Sequence, residues 1–85
     1  MTDNEKLVRL LQERKMSVTT AESCTGGLVA AEITDVEGSS EVFRRGFITY
    51  CDEAKHEMLG VPYEILLEHT AVSQQTAEAM VRGAA

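Results

Sequence analysis

The chain has 85 residues, room for one small domain, and a domain of that size buries only about 60–65% of the surface its unfolded form exposes. Apolar residues make up 44% of it, an ordinary globular share, and no run approaches the ~18 residues that span a membrane. Eight basic against fourteen acidic side chains leave a net charge of −6, which excludes the overall basic footprint of nonspecific nucleic-acid binding.

The first ten residues, "MTDNEKLVRL", are polar and acidic. They lack the basic start and apolar core of a signal peptide, so the expected location is the cytoplasm. Thr2 with Glu5 fits a capping box, and Leu7, Leu10, Leu11 and Arg14 follow at helical spacing, which predicts a helix over about 3–14. "SVTTAE" is short and β-branched and predicts a strand near 17–21. The run from Cys24 to Ile33 reads as a helix with Leu28, Val29, Ala31 and Ile33 available for burial, and "TDVEGSS" ends it. "EVFRRGFITY" predicts a second strand near 43–50, with Phe47 and Thr49 facing one way and Ile48 and Tyr50 the other. Asp52 can cap a helix that runs to Leu59 and stops at Gly60, and Pro62 suits the first turn of the next. Ser73 is a good N-cap for a last helix whose apolar stripe is Ala77, Met80, Val81 and Ala84. The order α-β-α-β-α-α-α predicts a layered α/β/α domain. Two strands make an incomplete sheet, so the 85 residues read as the front part of a longer domain.

One stretch concentrates small polar groups: Ser23, Cys24, Thr25, Gly26 and Gly27 stand in consecutive positions just after the first strand. Such a junction lies at the carboxyl edge of a parallel sheet, where open α/β folds bind ligands. Ser23 is either a helix N-cap or a nucleophile. The N–H groups of a first helical turn can hold an anion, and glycines let a substrate approach the backbone. Tyr50 and Lys55 stand at the second strand-to-helix junction. The helix between the two strands implies a parallel pair, which puts both junctions on one edge. A lysine whose amine is unprotonated can take a serine's proton. Cys24 is the alternative nucleophile, with His56 or His69 as base. Cys24 and Cys51 match no zinc-ligand spacing and read as free thiols, and no metal or other cofactor is expected.

"AESCTGG", "ITDVEGSS" and "GFITY…EAK", followed by "HTAVSQQTAEAMVRGA", closely resemble the C-terminal domain of the competence/damage-inducible protein CinA. Free-standing members of that family are nicotinamide-nucleotide amidases. The resemblance implies hydrolysis of the carboxamide of nicotinamide mononucleotide to nicotinate mononucleotide and ammonia. It implies a serine nucleophile, a lysine base and a nearby tyrosine, carried here by Ser23, Lys55 and Tyr50, with Thr25, Gly26 and Gly27 cradling a small anionic nucleotide. Where the family usually has glycine this chain has Thr70, and where it often has Ser-Asn this chain has Cys51-Asp52. The family domain continues for about as many residues again. Residues 1–85 are therefore expected to be the front half of such a domain, weak or inactive alone, and either oligomeric or dependent on the missing half. The rival reading is a non-catalytic nucleotide-binding or assembly module. Neither reading calls for a nucleic-acid or membrane partner.

Overall fold

The computed structural model describes residues 1–85. Helix α1 (Asp3–Arg14) leads into strand β1 (Val18–Glu22), helix α2 (Leu28–Thr34), a 3-10 turn at Ser39–Glu41 and strand β2 (Phe43–Ile48). Three helices follow, α3 (Asp52–Leu59), α4 (Tyr63–His69) and α5 (Gln74–Ala84), which is the expected order. The capping box at the start of α1 forms as expected, with the Glu5 N–H on Thr2 Oγ1 at 3.2 Å and the Thr2 N–H on Glu5 Oε1 at 3.4 Å. Lys15 ends that helix in the left-handed conformation, φ 55°.

The two strands pair in parallel, as the intervening helix requires. Their register shifts: Val18 faces Phe43, but Thr20 faces Gly46 and Glu22 faces Ile48. The extra residue in β2 reverses which face its side chains take. Phe43 and Phe47 are four apart, yet they pack on opposite faces. Phe43 joins Val8, Ile33 and Val42 under α1 and α2, whereas Phe47 and Ala21 join Leu59, Val61, Leu66, Ala79 and Met80 under α3, α4 and α5. The result is a layered α/β/α arrangement with a small apolar cluster on each face of a two-stranded sheet.

Several element details differ from the sequence expectation. Helix α2 starts at Leu28, not Cys24, because Gly26 and Gly27 take φ values of 62° and 106° and turn the chain first. Of its four apolar candidates only Ile33 is buried. In α1 the fully buried residue is Val8 rather than Leu7 or Leu10. Cys51 occupies the cap of α3, with Asp52 in the first turn, and Pro62 caps α4. Helix α5 buries Thr76, Ala79 and Met80, while Ala77 and Val81 stay exposed. Its inward face is Thr76, Ala79 and Met80, with Ala84 partly buried against the same cluster, so Met80 and Ala84 of the expected stripe face inward and Ala77 and Val81 do not. Gly83 lets the end of α5 approach α3 closely, since any Cβ there would fall on the carbonyl group of Leu59.

Thr70, between α4 and α5, has φ 68° and ψ 171°. That region is essentially reserved for glycine, and a β-branched residue there carries strain of about 1–3 kcal/mol. Its hydroxyl makes only a 3.4 Å contact to the Val72 carbonyl. Thr70→Gly is expected to stabilise the chain by about 1 kcal/mol, after the larger backbone entropy of glycine in the unfolded chain is subtracted. Urea denaturation checks it; an unchanged or lower midpoint would show that the turn holds threonine without strain.

Candidate active site

Strand alternation divides the end of β1 between the two faces. Ser23 follows Ala21 toward the α3 side, and Glu22 goes to the α2 side. The last rung of the ladder is the Thr49 N–H on the Glu22 carbonyl at 2.9 Å, which holds the two strand ends level. Beyond β2 the chain turns into α3, and one turn in, Lys55 points back to the strand ends. Its Nζ donates to Ser23 Oγ at 3.0 Å and to the Thr49 carbonyl at 2.7 Å. Lys55 is 1% exposed, and Ser23 is partly exposed. Ser23 and Lys55 are therefore brought together, from residues 32 apart in the chain. An amine held by a backbone carbonyl and in contact with a serine hydroxyl can serve as base to that hydroxyl.

Tyr50 is not part of this contact. It is 75% exposed, and its hydroxyl bonds to nothing in the chain. The group that aims Lys55 is the backbone carbonyl of Thr49, which no side-chain pattern could reveal. Cys24 and Cys51 are exposed free thiols, and neither histidine serves Cys24. His56 Nδ1 lies 2.8 Å from the Val61 carbonyl with its ring stacked on Tyr63, and His69 sits beside Glu68. Arg44 and Arg45 fall at the bulged start of β2, at the opposite edge of the sheet.

The Thr25–Gly27 segment differs from the expected anion cradle. The first-turn N–H groups of α2 are already taken by a residue the sequence pattern did not single out. Glu22, 5% exposed, accepts from Thr25 Oγ1 at 2.7 Å, the Val29 N–H at 2.8 Å and the Ala30 N–H at 3.0 Å. Burial alone would push its carboxyl pKa up. The bonds from Thr25, Val29 and Ala30, with the nearby Gly27 N–H, outweigh that and hold it below its ordinary 4.5. A second anion at those donors would meet a carboxylate. The Gly26 N–H goes to the Ser23 carbonyl, and the N–H groups of Cys24 and Thr25 are among the donors of the turn that no group in the chain takes.

An apolar pocket of about 280 Å³ opens beside Ser23 and Cys24, walled by Ala21, Val72, Ala77, Met80 and Val81. Two larger clefts, about 800 and 540 Å³, lie between α1 and α2 and at the other edge of the sheet, where neither Ser23 nor Lys55 reaches them. The cleft that adjoins the chemistry matters here, not the largest.

Because Glu22 has a lowered pKa in the folded chain, its contribution to stability is complete above the unfolded value and is lost as pH falls below 4.5 toward the folded value. Glu22→Gln removes that contribution. The urea midpoint of the wild-type chain should fall more steeply than that of Glu22→Gln between pH 5 and pH 3. Parallel midpoint curves would contradict the assignment.

The sequence pattern of the CinA C-terminal domain matches residues 2–85. The chain is 52% identical over 81 residues to the nicotinamide-nucleotide amidohydrolase PncC of Escherichia coli K12, covering 95% of this chain and 49% of that protein. It is 51% identical over 83 residues to a CinA-like protein of Geobacter sulfurreducens, covering 98% of this chain and 20% of the relative. Among solved structures it superposes on a CinA superfamily protein from Escherichia coli with a TM-score of 0.93 at 33% identity, covering 99% of this chain and 53% of that one. The chain thus spans about half the length of the amidohydrolase it matches, and it belongs to the CinA C-terminal domain family.

Proposed function

We propose that this chain carries the nucleophile and base of a nicotinamide-nucleotide amidohydrolase. The observation that carries the reading is the 3.0 Å contact between Lys55 Nζ and Ser23 Oγ, with Nζ held from behind by the Thr49 carbonyl. With the amine unprotonated, the same contact runs the other way and the serine donates to Nζ. Ser23 Oγ attacks the carboxamide carbon as its proton passes to Lys55. The carbonyl oxygen becomes an oxyanion, for which the spare N–H groups of Cys24 and Thr25 are candidate donors. Lys55 returns the proton to the departing nitrogen, ammonia leaves, and an ester on Ser23 remains. Water then attacks the ester as Lys55 takes its proton, which passes to Ser23 Oγ as nicotinate mononucleotide departs. Of the cradle residues, Thr25, Gly26 and Gly27, Thr25 supplies a backbone donor, and the two glycines keep the approach free of side chains. Tyr50, exposed and unbonded, serves the substrate rather than Lys55. The similarity to PncC supplies the substrate.

The amidohydrolase is about twice as long as this chain, so groups outside these residues complete the binding of the anionic nucleotide. The exposed strand edges and the apolar side chains of Val72 and Val81 favour association. We expect low turnover from the 85 residues alone and a concentration-dependent assembly. Sedimentation equilibrium with thermal melts over a dilution series checks this, and a concentration-independent monomer with full turnover would overturn it.

The chemistry is tested by ammonia release from nicotinamide mononucleotide, in this chain and in the family domain that contains it. Ser23→Ala and Lys55→Ala should each lower kcat by at least about 10³-fold with the fold retained. Lys55→Arg should not restore it, because a guanidinium keeps its proton. Cys24→Ala should cost far less than Ser23→Ala. The reverse order would make the enzyme a thiol amidase. Nucleotide binding without ammonia release in every protein tested would favour the non-catalytic module.

A further inference from the structure

Glu22 has no part in the proton transfers just described, yet it is among the most tightly bonded side chains in the molecule. It stands immediately before the nucleophile and is 5% exposed. Its two carboxylate oxygens collect the Thr25 hydroxyl and the N–H groups of Val29 and Ala30 within 3.0 Å. Its carbonyl accepts the Thr49 N–H, and the Thr49 carbonyl in turn holds Lys55 Nζ. One residue therefore fastens three parts of the site: the Ser23–Gly27 turn, the start of α2 and the end of β2.

Little else could do so. Helix α2 has seven residues, too short to persist on its own, and Ile33 is its single buried side chain. Gly27, at its cap, has no side chain to offer. The turn itself is closed by the Gly26 N–H on the Ser23 carbonyl and the Leu28 N–H on the Thr25 carbonyl, with glycines that add no packing. The carboxylate is what ties this turn to the helix it precedes.

We propose that Glu22 is a positioning residue: it holds the turn so that the spare N–H groups of Cys24 and Thr25 stay beside Ser23 Oγ to receive the oxyanion. The assignment rests on Ser23 being the nucleophile. A glutamine fits the same space, but it can turn only one oxygen toward these donors and sets an NH2 group against the rest. The turn then loosens, and a displacement of about 1 Å at the reacting atoms costs about 10²-fold in rate.

The test reads the chemistry apart from the fold. An alkyl phosphonofluoridate is attacked by Ser23 Oγ. The oxygen–phosphorus bond forms, fluoride leaves, the serine proton passes to Lys55, and the phosphoryl oxygen takes the oxyanion position. Intact mass gives both the rate constant of capture and the fraction of chains captured. In Glu22→Gln the rate constant should fall roughly 10- to 100-fold while the captured fraction still reaches one per chain. Thr25→Val should lower it several-fold, and Thr25→Ser, which keeps the hydroxyl, should restore it. A purely structural role would instead lower the captured fraction and leave the rate constant of the folded remainder unchanged; that result overturns the proposal. If Glu22→Gln does not fold, the Thr25 pair decides, and equal rates for Thr25→Val and Thr25→Ser overturn it. Capture absent from both the wild-type chain and the family domain that contains it, or retained by Ser23→Ala, overturns the nucleophile assignment itself. Capture abolished by Ser23→Ala but unmoved by Glu22→Gln and Thr25→Val overturns the role of Glu22 alone.

Discussion

The arrangement depends on the last rung of a two-strand parallel ladder, the Thr49 N–H on the Glu22 carbonyl. It brings both strand ends to one edge at one height. Ser23 leaves that edge from β1. The chain beyond Thr49 turns into α3, whose first turn returns Lys55 Nζ to the Thr49 carbonyl. Had the strands been antiparallel, these two groups would have emerged at opposite edges. The parallel pairing follows from the connection: some twenty residues containing a helix lie between the strands, and a crossover of that kind is what parallel pairs require.

The backbone route to the site was legible for that reason. Strand-to-helix junctions can be read from β-branched runs that end in small polar residues, and both junctions were placed to within a few residues. What the junctions do could not be read so directly. Glu22 looks like one more surface carboxylate among fourteen acidic residues, because its role depends on side-chain alternation at the end of a strand and on a turn that starts α2 later than the pattern suggests. Tyr50 looks like a partner of Lys55 in sequence, but Lys55 is aimed by a main-chain carbonyl, which leaves no mark in side-chain chemistry. The inward face of α5 was hidden in another way. Thr76 is buried at the start of its inward face and does not register as apolar, and Gly83 is defined by close approach to Leu59 and not by hydrophobicity. The bulge in β2 escaped because a period-2 pattern assumes one residue per rung.

The sheet separates two kinds of work. On the α2 face the end of β1 carries a carboxylate held by three donors, which fixes geometry and neutralises a helix terminus. On the α3 face it carries a hydroxyl in contact with an amine and exposed to an apolar pocket. Adjacent residues of a strand face opposite ways, so a Glu directly before Ser anchors the strand end from behind without crowding the serine hydroxyl.

That economy has a cost in the interior. Six of the fourteen buried residues are polar or charged: Thr20, Glu22, Ser39, Thr49, Lys55 and Thr76. Four are satisfied, Thr76 through a 2.6 Å bond to the Thr70 carbonyl that closes the strained turn before α5. The hydroxyls of Thr20 and Thr49 have no partner in the chain, and a buried group left so costs about 1–3 kcal/mol. Thr20 lies against Gly46, where a Cβ would press on its oxygen. Thr49 gives its N–H and carbonyl to the site while its hydroxyl goes unused. An interior with eight buried apolar side chains has little stability in reserve to offset this. The polar contacts that orient Ser23 and Lys55 are therefore also a substantial part of what holds the two faces of the sheet together. In this small domain, loosening the site and loosening the fold are closely coupled, which is why a rate constant and a captured fraction must be read separately to assign a role to any one of these residues.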